Sequence, residues 1–298
     1  MTPRIVSLLP SATEIVCALG FCDVLVGRSH ECDFPPEVEE LPALTSPKAD
    51  VSGNSREIHD NVSGALHGSD GVYRVDEALL RELEPTHVVT QAQCDVCAVS
   101  LRDVQGVVSQ WPDPPRITTL MPNALRDIYA DILRTASDLG APERGQSLVR
   151  RMKRRIAAVA ESAPREKRPR VAAVEWISPL MFAGTWIPEL IDIAGGIPVT
   201  DLETADIIVL MPCGFDIART RHELPPLTTH PDWPRLRAVR NGRVVIITKP
   251  RLSVWRGRAR LRRRPYRRPA GADGGPAQRP APALASYGFA AEFDEPAS

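Results

Sequence analysis

Short apolar runs alternate with amphipathic helical stretches along most of the chain, and that alternation leaves few architectures open. It argues for a parallel sheet with helices on both faces. Four of the runs end in an unusual polar or thiol-bearing cluster. Val24-Leu25-Val26-Gly27 leads into His30-Glu31-Cys32, and Val88-Val89-Thr90 into Gln91-Ala92-Gln93-Cys94-Asp95-Val96-Cys97. Val171-Ala172-Ala173-Val174 ends at Glu175-Trp176, and Ile207-Ile208-Val209-Leu210 at Met211-Pro212-Cys213-Gly214-Phe215. Ligands of open α/β sheets sit outside the carboxyl ends of the strands, so these clusters are expected to meet at one crevice.

Between the strands the chain carries readable punctuation. Arg4–Leu9 reads as the first strand, and Ser11-Ala12-Thr13-Glu14 has the spacing of a capping box at the start of a helix that Gly20 ends. Residues 35–72, rich in Pro, Ser, Gly and Asp, read as a surface excursion with one short helix. Val75–Leu83 reads as a helix, and Asn123–Leu139 as a strongly amphipathic one with Leu125, Ile128, Ile132, Leu133 and Ala136 on one side. A further helix from about Glu143 to Ala160 carries a basic face, read as solvated. The layout is an N-terminal lobe (1–140), a linking helix (141–169) and a C-terminal lobe (170–250). The Arg-, Pro- and Ala-rich segment 251–298 is expected to be disordered, because it has too little apolar surface to offset its ordering entropy.

Composition narrows the function. The 298 residues carry a formal net charge of zero, which gives no general attraction to nucleic acid or to an anionic membrane. No run reaches the roughly 20 apolar residues of a membrane span. The first residues show no secretory signal pattern, so the chain as written is expected in the cytoplasm; an earlier start would place it in the periplasm or at the cell surface. Of the six cysteines, Cys17 and Cys22 read as small buried hydrophobes and no disulfide framework is expected. No Gly-x-Ser-x-Gly, P-loop or dinucleotide fingerprint occurs, which points away from an enzyme. His87 reads as structural, and His59, His67, His222 and His230 as loop residues without ligand spacing.

Several of these segments together resemble one family. Arg4-Ile5-Val6-Ser7-Leu8-Leu9-Pro10-Ser11-Ala12-Thr13-Glu14 with Ala18-Leu19-Gly20 is similar to the opening of class III substrate-binding proteins of ABC importers. The likeness runs on through Leu25–Pro36, Cys94–Val99, Glu175-Trp176, Ala183–Trp186, Pro188-Glu189-Leu190 and Met211–Phe215. His-Glu-Cys, Cys-x-x-Cys and Met-Pro-Cys-Gly-Phe, in that order, resemble the cysteine-containing group of the cobalamin (vitamin B12) branch. The resemblance implies two Rossmann-like α/β lobes joined by a long rigid helix, with a corrinoid or iron chelate between them and no enzymatic activity. It also implies acidic docking to a permease, matched here by Glu189 and Asp192; a solvated helix face is the plain alternative. The second lobe is shorter than the family pattern between Gly196 and Asp206, and beyond Lys249 the expected closing helix is missing.

A corrinoid needs flat apolar faces and hydrogen-bond partners for its amide rim. Trp176, Trp186, Phe215 and Phe34 are the candidate faces, and Gln91, Gln93, Glu175 and Ser29 the candidate rim partners, with Glu31 beside them. His30, Cys32, Cys94, Cys97 and Cys213 suggest a second chemistry, since imidazole and thiolates ligate cobalt or zinc. The expected ligand is cobalamin, with a metal held by the thiols as a further option. The expected partners are a corrinoid and an ABC permease, with no nucleic acid, no membrane insertion and a single copy of the chain. The alternatives are a cytoplasmic corrinoid or metal carrier, a ferric-siderophore-binding protein, and a thiol-dependent metalloenzyme.

Overall fold

A computed structural model describes residues 2–67, 72–92, 99, 101–163 and 166–247. The chain divides into two compact units, Met1–Lys153 and Arg154–Ser298. The first contains β1 (Ile5–Ser7), α1 (Pro10–Ala18), β2 (Leu25–Arg28), β3 (Thr45–Pro47), α2 (Ser55–His67), β4 (Tyr73–Val75) and α3 (Glu77–Glu82). It continues with β5 (His87–Gln91), α4 (Leu101–Val108), β6 (Arg116–Leu120) and α5 (Leu125–Asp138). Helix α6 (Pro142–Ser162) crosses the division, and its first half packs Leu148, Val149 and Met152 into the first unit's interior.

The first unit's sheet has the order β2-β1-β5-β6 and is parallel throughout. Ile5, Val6 and Ser7 are all fully buried, as expected of a strand covered on both faces. Val6, Leu8 and Val88 pack with Leu80, Val104 and Val108 from α3 and α4 on one side. Segment 35–72 holds more order than its composition suggested: β3 and β4 form an antiparallel pair, and α2 runs for 13 residues between them. His59 and His67 accordingly lie on α2, and His222 on a helix, instead of in loops.

The start of α1 corrects the capping-box expectation. Pro10 occupies the first turn and Leu9 the cap position, with no side-chain cap bond. Proline is preorganised for that position, so the helix begins two residues earlier than a Ser11 cap would place it. Glu14 is carried into the interior as a result. At the other end Gly20, with φ of +83°, closes the helix. Its N–H bonds Cys17 O, and the Phe21 N–H bonds Val16 O, which is the Schellman arrangement.

That reversal returns Cys22 against Cys17, and the two form a disulfide. The expectation of two unlinked buried thiols is thereby corrected: spacing alone does not reveal the left-handed turn that joins them. Closing so short a loop removes about 2 kcal/mol of unfolded-chain entropy in the chain-entropy treatment. Cys17→Ser/Cys22→Ser is expected to lower unfolding free energy by about that amount in urea titrations. An unchanged midpoint would show that the cross-link does not form in the folded protein.

The second unit contains β7 (Arg170–Trp176), β8 (Met181–Phe182), α7 (Ile187–Ile193), β9 (Ile197–Pro198), β10 (Ile207–Leu210), α8 (Ile217–His222), α9 (Pro225–Thr228), α10 (Arg237–Arg240) and β11 (Val244–Ile246). Its sheet runs β11-β10-β7-β8, with β9 also paired to β7. The strand period of two divides its core. Ala172, Val174, Ile208 and Leu210 face Leu224, Leu227, Trp233 and Leu236, while Val171, Ala173 and Ile207 face Ala183 and Ile191. The unit thus keeps a two-sided core despite its short 196–206 segment. The expected tail, 251–298, lies outside the described residues.

Candidate functional site

Within each unit the parallel register brings the strand-end clusters to one edge. In the first unit Ser7 is level with Arg28 and with Val89, and Gln91 with Leu120. The segment after β2, Gln91 and the segment after β6 therefore share the carboxyl edge. Arg28 clamps the His30-Glu31-Cys32 loop from within, its guanidinium donating to the carbonyls of Ser29, His30, Glu39 and Leu41 at 2.9–3.4 Å. Arginine presents five donors in a rigid fork, which suits several carbonyls at once. The sequence reading passed over it.

His30 is half-buried and tied to β3: its backbone N–H donates to Thr45 Oγ1 at 3.0 Å, and its Nδ1 lies 2.7 Å from the same oxygen. Its ring lies 5.4 Å from that of Tyr73, tilted by 48°. Tyr73 went unnoticed in the sequence because its strand was hidden in a polar segment. Ser29 is buried, its N–H donating to Ser7 O and its Oγ accepting from Thr45. It braces the loop, so its expected role toward ligand amides is not the one its surroundings favour. Gln91 is also buried, whereas Glu31 and Phe34 are half-buried. Met121, just after β6, is 53% exposed on this edge, an apolar candidate that the sequence reading missed.

Cys32 is only 1% exposed, beneath the loop. Thr13 Oγ1 reaches both Cys32 Sγ (3.0 Å) and Ser7 Oγ (2.8 Å). Burial pushes the Cys32 thiol up to about 11, outweighing the hydrogen bonds from Thr13 and the Ser29 backbone. A thiol that keeps its proton is a poor metal ligand, so Cys32 belongs to the packing beneath the site. Cys94, Cys97 and Gln93 lie outside the described residues. Among the described residues no group of three His, Cys, Asp or Glu side chains is placed to hold a metal ion.

In the second unit Val174 is level with Leu210, which sets Glu175-Trp176 beside Met211-Pro212. The Met211 N–H donates to Val174 O (2.8 Å) and the Cys213 N–H to Glu175 O (3.1 Å), so the ladder extends into both clusters. Gly214 then turns with φ of +75° and sends Phe215 back against Trp176, with ring centroids 5.2 Å apart and tilted by 45°. Phe215 is buried, and the Arg219 guanidinium covers its ring at 4.8 Å. Trp176 is half-buried, its Nε1 donating to Ser178 O at 3.0 Å. The surface offered is thus the indole, and Phe215 serves as its backing instead of a second ligand face. Leu180 and Trp186 supply further apolar surface nearby in sequence, and Cys213 is exposed.

Glu175 is half-buried. Burial raises its carboxyl pKa, and the Gly184 amide donating to it opposes the rise. On α7, Glu189 and Asp192 are both exposed, and Asp192 is ion-paired with Arg168 at 2.5 Å.

No protein-family profile matches the chain, and no curated protein sequence matches it. Solved structures do. The periplasmic heme-binding protein RhuT from Roseiflexus sp. RS-1 aligns with a TM-score of 0.60 and 22% identity, covering 84% of this chain and 90% of that one. S. aureus IsdE, solved with heme, gives 0.58 and 16%, covering 83% and 90%. The periplasmic vitamin B12 binding protein BtuF of Vibrio cholerae gives 0.57 and 18%, covering 82% and 87%. At such identities the likeness is one of fold. The chain has the α/β, class III periplasmic-binding-protein-like fold, and no helix among its described residues is long and apolar enough to cross a membrane.

Proposed function

We propose that this chain is the substrate-binding component of an ABC-type importer, without enzymatic activity, and that its ligand is cobalamin or a related corrinoid. The observation that carries the reading is the Trp176 indole, partly exposed at the carboxyl end of β7 and packed against Phe215. A fixed aromatic face suits a broad flat macrocycle. Likeness of fold to binding proteins for heme and vitamin B12 supports the same class of ligand. The ordered His-Glu-Cys and Met-Pro-Cys-Gly-Phe motifs favour the corrinoid. A porphyrin is the second reading, favoured by the heme-binding proteins among the structural relatives.

Import implies work outside the cytoplasm, and the Cys17–Cys22 disulfide supports that location, since such bonds persist in oxidising compartments. Docking to a permease through Glu189 and Asp192 would exchange Arg168 at Asp192 for a permease cation. Calorimetric titration of the full-length protein with cyanocobalamin, cobinamide, hemin and a ferric siderophore tests the assignment. Cyanocobalamin is expected to bind with Kd of about 1 μM or tighter. Tighter binding of hemin or the siderophore would reassign the ligand.

A further inference from the structure

Resting on the reading that Trp176 supports a flat macrocycle, we propose that Glu175 selects the rim of that ligand, accepting hydrogen bonds from neutral amides and repelling carboxylates. Corrinoids and hemes share a flat tetrapyrrole-derived body and differ at the edge. The corrin rim carries neutral primary amides, which donate, whereas heme carries two propionates, which at neutral pH only accept and are charged.

Glu175 is placed to sense that difference. It immediately precedes Trp176 at the carboxyl end of β7, where pairing with β8 shifts register between Val174 and Trp176, and its carbonyl accepts from the Cys213 N–H. The Gly184 amide donates to the carboxyl and helps hold it. The group is half-buried, where charge interactions are screened less than in bulk water. A carboxylate accepting from an amide N–H makes a charge-assisted bond, while the same carboxylate against a propionate is a built-in repulsion. The cation touching this cluster, Arg219 over Phe215, already pairs at 3.0 Å with Glu223, which is only 4% exposed. Its charge is matched within the fold instead of being presented to an anionic rim.

The test titrates full-length wild type and Glu175→Gln at slightly alkaline pH with three probes. These are cyanocobalamin, hemin, and cobalamin monocarboxylic acids in which one rim amide is hydrolysed. Wild type is expected to favour cyanocobalamin over hemin, and over at least one monocarboxylate, by about tenfold or more. Glu175→Gln, isosteric and still able to accept, is expected to narrow both ratios by about tenfold while keeping its thermal transition. Ratios unchanged within about twofold in the folded variant would overturn the proposal. Should the variant not fold, the wild-type monocarboxylate series decides alone, and equal affinity for amide and acid forms overturns it. Wild type that binds no cobalamin overturns the functional reading and this inference together; cobalamin binding with unchanged ratios overturns this inference only.

Discussion

On the proposed reading, Trp176→Ala is expected to weaken cobalamin binding about 100-fold, because truncating a large aromatic anchor at a binding hot spot costs about 2 kcal/mol or more. Trp176 is only partly exposed and packs on Phe215, so the variant also loses some folding stability. Phe215→Ala separates backing from contact. Phe215 is buried behind the indole, so its removal should lower the melting temperature as well as the affinity. Calorimetry with cyanocobalamin beside thermal melts of both variants reads the two effects. Undiminished affinity in Trp176→Ala would remove the indole from the site.

Raising the pH should expose the second large effect, at Cys32. The thiol has an ordinary value of 9.0 and is pushed to about 11 by burial in the folded protein. Below pH 9 both states keep the proton, so the contribution is fully present. Above it the unfolded thiol ionises first, the folded state holds more protons, and stability falls until the pH passes the folded value. The loss amounts to about 2 kcal/mol by pH 11. Urea unfolding of wild type and Cys32→Ala across that range measures it, and the variant should show a correspondingly shallower decline. Parallel slopes would mean that the thiol is not shielded. In native protein near neutral pH, Cys213, which is exposed, should react with a thiol reagent well before Cys32.

The strands were legible because β1, β5, β7 and β10 are buried on both faces and so appear as unbroken apolar runs. Helices α5 and α6 were legible from their periodicity. What escaped the sequence was set by contacts between distant segments or by single backbone choices. The β3–β4 pair joins residues 45–47 to 73–75, and neither three-residue strand carries a pattern of its own. Helices α9 and α10 span four residues each, too few for a period to show. The capping box had the right residues at the right spacing, yet Pro10 is better suited to the first helical turn than Ser11 is to the cap.

The candidate site followed the same division. Convergence of the clusters was inferred from parallel pairing, and in the second unit the register sets Glu175-Trp176 beside Met211-Pro212. Which members are presented could not be inferred. Ser29, Cys32 and Phe215 share motifs with more accessible neighbours but are turned inward by hydrogen bonds and packing to β1, α1 and α8. Tyr73 and Met121 lie outside the recognised motifs and reach the same edge through the fold.

Because β7 and β10 are enclosed by helices along their lengths, their interior side chains carry no information about what the protein holds. Cargo preference can then drift through the few positions just past each strand without disturbing the frame that supports them.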